Sequence, residues 1–171
     1  PQTSYSLAEG ENSITVPLSW TNGDGVTFEK SFTFTRNEFM IGVDYKVINR
    51  SANDRTFNFV AELMRDQQPT GLEEKSSFGM APFLGAAYSP EAEHYEKMTL
   101  EELAEEPINV TRQGGWVSYI QHYFVSSWIP QQQQSINITS DVKPNGDTIV
   151  RFVQPAISVP ANTEQQITAS L

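Results

Sequence analysis

Apolar residues alternate with polar ones through Ile14, Val16, Leu18 and Trp20, and a second apolar set follows at Val26, Phe28, Phe32 and Phe34. Asn22, Gly23, Asp24 and Gly25 lie between the two sets and supply turn chemistry, so the stretch predicts a β-hairpin. A further run alternates as Phe39, Ile41, Val43, Tyr45 and Val47, breaks at Asn49 to Asp54, and resumes as Phe57, Phe59, Ala61 and Leu63. A period of two places each set on one face of a strand, which predicts an antiparallel sheet with one buried and one solvated face.

The segment from Arg65 to Ser77 is polar, holds Pro69, Thr70 and Gly71, and reads as a long loop of the kind that carries function. A short apolar strand at Phe83 to Tyr88 follows. Thr99 to Glu102 has the form of a capping box, and Leu100, Leu103 and Ala104 lead a brief helix that Pro107 stops. From Ile108 the strand pattern returns to Thr111, as a long central strand from Trp116 to Ile129, and at Ile136 to Thr139. Asn145, Gly146 and Asp147 turn the chain into Thr148 to Val153, and Ile157 to Val159 and Gln165 to Ala169 complete it. The density of short strands favours a two-sheet sandwich over a closed barrel, with residues 1–171 forming a single domain. Gln131 to Gln134 reads as a solvated linker.

Acidic residues number 21 against 11 basic ones, a formal charge of −10, so a nucleic acid backbone is a poor partner and an anionic lipid surface is repelled across most of the molecule. The chain has no cysteine, which removes disulfides and thiolate metal sites. No apolar stretch reaches membrane-spanning length, since Met80 to Tyr88 is short and carries Pro82 and Gly85. The start at Pro1, with no initiating Met or signal-like segment, suggests a piece of a longer chain.

Candidate chemistry is sparse. His94 lies in an acidic, surface-like stretch and reads as solvated, and His122 lies among Tyr119, Tyr123 and Phe124 and reads as a hydrogen-bonded packing residue. Ser126 and Ser127 lack the glycine-framed turn that exposes a nucleophile, and Gly114 and Gly115 precede a strand, where a turn or bulge is expected in place of a phosphate cradle. The carboxylates Glu101, Glu102, Glu105 and Glu106 have no apolar neighbours to separate their acidities and read as a charged helix face. The triplets beginning at Asn49, Asn109 and Asn137 match a glycosylation pattern that also arises by chance. These readings predict no catalytic residues, no cofactor and no metal.

The densest aromatic run is Gly114-Gly115-Trp116-Val117, then Gln121-His122-Tyr123-Phe124, then Trp128-Ile129-Pro130. Both of its parities are apolar, which favours packed core over an open aromatic platform. This run resembles a late segment of the periplasmic domain of the YidC insertase family from Gram-negative bacteria. Tyr5, Leu7, Ala8, Glu9, Gly10 and Asn12 resemble the lead-in to that family's hairpin, and Phe32, Phe34 and Arg36 its second strand. Gly85 to Tyr88, then Tyr95, Glu96 and Lys97, are similar to its later strand and the approach to its short helix.

The resemblance implies a mostly β, antiparallel two-sheet β-supersandwich, galactose mutarotase-like, with one short helix. It implies a parent in the bacterial inner membrane that inserts and folds membrane proteins, alone or with the Sec translocon, and a non-catalytic domain on the periplasmic face. The implied partners are the Sec accessory proteins SecD and SecF, together with substrate membrane proteins, and their contacts fall broadly between the Phe39 strand and Tyr88. Phe78, Met80 and Phe83 are the candidate partner-binding anchors, because aromatic and Met side chains supply most interface energy. Relative to the family pattern, the chain starts after the expected first strands and stops before the helix leading to the membrane core, so no residue here is an insertase residue. A carbohydrate-binding or mutarotase-like module is the alternative, and a structural spacer the third reading.

Overall fold

The computed structural model describes residues 4–66, 83–91 and 94–171. In chain order the elements begin with β1 (Ser13–Thr21), β2 (Val26–Thr35), β3 (Ile41–Asn49), β4 (Arg55–Phe57) and β5 (Val60–Arg65). Next come β6 (Leu84–Glu91), β7 (His94–Thr99), α1 (Leu100–Glu105), β8 (Asn109–Gln113), β9 (Val117–Gln121) and β10 (Phe124–Pro130). The chain closes with β11 (Ser135–Val142), β12 (Thr148–Val153), β13 (Ile157–Val159) and β14 (Glu164–Ser170). It divides into two compact units, Pro1–Phe59 with Ala156–Leu171, and Val60–Pro155. Among the described residues no helix is long and apolar enough to cross a membrane.

In the first unit the sheet runs β1-β2-β3-β14, and β4 pairs separately with β13. The expected hairpin forms because the Asn22 side-chain oxygen accepts from the N–H groups of Asp24 and Val26, at 3.0 and 2.9 Å, while Gly25 takes a positive φ. Val26, Val47 and Val159 are its buried cluster, with Phe28, Phe57 and Ile157 packed around them. Asn49 is fully buried beside this cluster. Its amide N–H groups donate to the carbonyls of Asn53, Val159 and Pro160, and its oxygen accepts from the Ser51 N–H and hydroxyl. The first glycosylation-like triplet is therefore a structural tie that holds residues 49–53 against the end of β13.

The second unit is a sandwich of two four-stranded antiparallel sheets, β5-β12-β11-β8 and β10-β9-β6-β7. Ala61, Val150, Phe152, Ile136 and Ile138 line the inner face of the first, and Trp128, Val117, Ala86 and Tyr88 that of the second. Polar groups that face inward find partners across the gap. The Trp128 indole N–H donates to the Glu62 carbonyl (3.1 Å), Tyr119 and Thr148 hydroxyls meet at 2.8 Å, and the Arg65 guanidinium donates to Gln121 Oε1 (2.6 Å). Arg112 donates to the Ser89 carbonyl and hydroxyl at the other end. The helix forms as expected: Thr99 Oγ1 accepts from the Glu102 N–H at 3.2 Å, Glu102 Oε2 accepts from the Thr99 N–H at 2.7 Å, and Leu103 is fully buried.

Four expectations are corrected. The run from Trp116 to Ile129 is two strands, β9 and β10, folded back so that Gln121 opposes Phe124, and His122 with Tyr123 makes the turn. His122 is accordingly an exposed turn residue at φ 55°, a conformation that His adopts more readily than most side chains. The run from Phe57 to Leu63 is likewise two strands, because β4 pairs with β13 and β5 with β12. The Gln131 to Gln134 segment does more than link strands: the Gln132 amide both accepts from the Gly115 N–H (3.0 Å) and donates to the Gly115 carbonyl (3.2 Å). Gly114 and Gly115 both have positive φ there, and a Cβ on either would press on Gln132 or Arg112, which explains the glycine pair as a turn.

Two substitutions separate core from margin. Trp128, 6% exposed and hydrogen bonded, is expected to cost about 3–5 kcal/mol on replacement by alanine, whereas the half-buried Trp116, which meets Tyr95 at 6.2 Å between ring centres, is expected to cost about 1–2 kcal/mol. Urea denaturation of both variants measures the difference, and equal losses contradict it. Asn49→Ala is expected to cost about 3 kcal/mol, since it leaves several buried donors and carbonyls unpaired, and the same titration reads it.

Candidate functional site

Two surfaces of the second unit stand out once its core is accounted for. The first is the tip of the β9–β10 hairpin. Tyr123, Phe124 and Val125 are 88%, 73% and 63% exposed, although the sequence pattern places them in a covered strand. Register explains the difference. Phe124 shares the inner parity with Ser126 and Trp128, but it lies opposite Gln121 at the end of the ladder, while Val125 opposes Ile120 on the other face. The turn is held from below, because the His122 N–H donates to the Phe83 carbonyl at 3.2 Å and the His122 and Tyr123 rings meet edge to face at 4.2 Å.

This arrangement brings one expected anchor to the tip. Phe83 is half-buried, with the Lys97 ammonium 5.2 Å from its ring centre, and its backbone adjoins the hairpin turn. Phe78 and Met80 lie outside the described residues. The exposed trio was missed because His-Tyr carries no Gly, Asn or Asp to signal a two-residue turn. A positive φ at His122 is the only device the turn uses in their place.

The second surface is a groove of about 650 Å³ between β7, α1 and β8, floored by Tyr88, Met98, Ile108 and Val110 and rimmed by Glu96, Glu102, Glu105 and Glu106. Tyr88 donates to Glu96 Oε2 at 2.6 Å. Burial, then the hydrogen bond and charge of Glu96, then the charge of Glu106, push the Tyr88 phenol up to about 12. Hydrogen bonds from the Thr99 backbone and side chain hold the Glu102 carboxyl below the usual carboxylate range. The strand β7 that forms one wall was not expected, because the acidic stretch around His94 hides its alternation.

The two histidines do not converge. His94 opposes Glu91, beyond the Tyr88–Val117 pair, while His122 turns at the Leu84–Gln121 end, so they stand at opposite ends of one sheet. Among the described residues no group of three or more His, Asp or Glu side chains is placed to hold a metal ion.

The backbone defines the class first. It is that of a galactose mutarotase-like β-sandwich: a galactose mutarotase related enzyme from Lactobacillus acidophilus is similar over 95% of this chain and 68% of that one, with a TM-score of 0.58 and 12% identity. A TPR-domain containing protein from Parabacteroides distasonis is similar over 98% of this chain and 33% of its own, with a TM-score of 0.53 and 5% identity. Residues 1–171 match the family described as the YidC periplasmic domain, and the chain belongs to that family. It is 36% identical over 171 residues to the membrane protein insertase YidC of Aeromonas salmonicida, covering 99% of this chain and 31% of that protein. It is 38% identical over 159 residues to that of Marinomonas sp., covering 92% of this chain and 28% of that protein. The chain thus spans about a third of the length of these relatives.

The Tyr88 phenol gives a pH test of the groove. Its folded pKa lies above the ordinary value of 10, so its contribution is complete below pH 10 and is lost as pH rises through about 12. Stability is expected to fall more steeply across that window in the wild type than in Tyr88→Phe. Parallel declines in the two proteins, by denaturant titration at each pH, refute the assignment.

Proposed function

We propose that the chain is a non-catalytic accessory and interaction domain on the periplasmic face of a membrane protein insertase, and that its partners are the Sec accessory proteins SecD and SecF and segments of substrate membrane proteins. The observation that carries this reading is membership, over residues 1–171, in the periplasmic domain family of an insertase. Phe78, Met80 and Phe83 remain the proposed anchors for the Sec proteins, and of these Phe83 accepts through its carbonyl from the His122 N–H of the hairpin turn. One membrane holds all the components together, so a small interface of about 800 Å² per side or less suffices.

Photocrosslinkers placed singly at positions 78, 80 and 83 of the full-length insertase are expected to yield adducts with SecD or SecF, while one at exposed Glu101 yields none. The double change Phe78→Ser with Met80→Ser is expected to lower co-purification of those partners about tenfold without altering the melting temperature. Undiminished association in a folded double variant removes this segment from the interface.

A further inference from the structure

We propose that the β9–β10 hairpin tip is an interfacial membrane anchor: His122, Tyr123, Phe124 and Val125 enter the headgroup and upper acyl region of a phospholipid bilayer. The first argument is geometric. Phe124 and Val125 are neighbours on one strand and therefore point to opposite faces of the hairpin, yet 73% and 63% of their surfaces are open, as is 88% of Tyr123. A protein groove that reads a β ribbon covers one of its faces. A bilayer surrounds an inserted tip on both.

Leu18 and Trp20, exposed in the first unit, behave otherwise, although Phe39 and Met40 there are open as well. Leu18 and Trp20 share one face of β1, and Trp20 lies stacked on Phe28 at 5.6 Å, a one-sided surface suited to a flat cover. The side-chain types also separate the two surfaces. A tyrosine and an imidazole beside Phe and Val give rings with apolar bodies and polar ends, the composition favoured where hydrocarbon meets water.

Charge supplies the second argument. The chain carries 21 Asp and Glu residues, yet none lies between Glu106 and Asp141, the stretch that contains the whole hairpin. Cations stand behind the tip instead. The Arg65 guanidinium holds Gln121 at 2.6 Å, and Lys97 lies over Phe83, whose carbonyl holds the His122 N–H. Lys97 suits the phosphate level of a bilayer when the tip is inserted, whereas Arg65 is engaged across the gap, and Asp66, next to Arg65, is a carboxylate that opposes approach. The tip is short and the His122 N–H in its turn is already hydrogen bonded, so a depth of about 5–10 Å buries the three side chains while the turn stays at the headgroup level.

The inference rests on the insertase reading only for the nearness of a membrane, and the test addresses the chain itself. Because the chain has no cysteine, Tyr123→Cys and, as control, Glu101→Cys each take a single environment-sensitive fluorophore. With vesicles of phosphatidylcholine, and of phosphatidylcholine with phosphatidylglycerol, the label at 123 is expected to shift to the blue and to be quenched by brominated acyl chains, and the label at 101 to do neither. Phe124→Ser with Val125→Ser is expected to weaken flotation with the vesicles about tenfold at an unchanged melting temperature. Absence of wild-type flotation at millimolar lipid, equal quenching at 123 and 101, or protection of 123 by an added Sec protein and not by lipid overturns the proposal. Loss of the Sec crosslinks with vesicle binding intact defeats only the accessory reading, and the reverse outcome defeats only the anchor.

Discussion

The second unit depends on closing one gap, the space between two four-stranded sheets, and Trp128 closes it. Its ring is among the largest side chains buried there, and its one polar atom is matched to the carbonyl of Glu62 on the facing sheet. A tryptophan so placed leaves no freedom of register, because a slip by one residue would turn the ring to the other face and bury Ser127 in its stead. The same register then dictates what cannot be covered. With Trp128 opposite Val117, the ladder runs on to Phe124 and Gln121, and the last residues of the hairpin are left open. The exposed tip is thus a consequence of where the core ends.

Buried polar groups show the complementary constraint. A sandwich assembled from strands this rich in Ser, Thr, Asn and Gln has donors on its inner faces, and each must find a partner because an orphan costs more than a satisfied bond returns. Arg65 with Gln121, Tyr119 with Thr148 and Arg112 with Ser89 meet this need across the gap of the second unit. In the first unit Asn49 does so at the centre of such a tie, joining residues 51 and 53 to the end of β13. The stretch between Glu106 and Asp141, which holds the hairpin, carries no carboxylate side chain although the chain's formal charge is −10.

Legibility in the sequence followed the strength of local chemistry. Asn22 to Gly25 and Asn145 to Asp147 were readable as turns because their side chains and glycines make turns wherever they occur, and both hairpins are present. The capping box at Thr99 was readable for the same reason. At His122 nothing local announces the reversal, and a run apolar in both parities looked like one buried strand. The strand β7 was hidden in the opposite way, since Glu96, opposite Tyr88, fills an inner-face position that a one-sided strand would leave apolar, and its pairing with β6 is what makes it a strand. Family resemblance carried the fold where periodicity stopped, because it drew on order and spacing along most of the chain.

Likeness to a mutarotase-related enzyme bears on the backbone, and the side chains then decide what the backbone does. General acid and base catalysis on a sugar needs two titratable groups within reach of one substrate. Here the imidazoles stand at opposite ends of a sheet, and Tyr88 in the groove is a donor to Glu96 whose proton is held more tightly than in water. Meanwhile the described surface of the second unit that departs furthest from the ordinary rule of buried apolar groups is the hairpin tip. Exposure of Tyr123, Phe124 and Val125 follows from where the core ends, is costly in water and meets no covering side chain among the described residues, which leaves the tip available to what lies outside the fold.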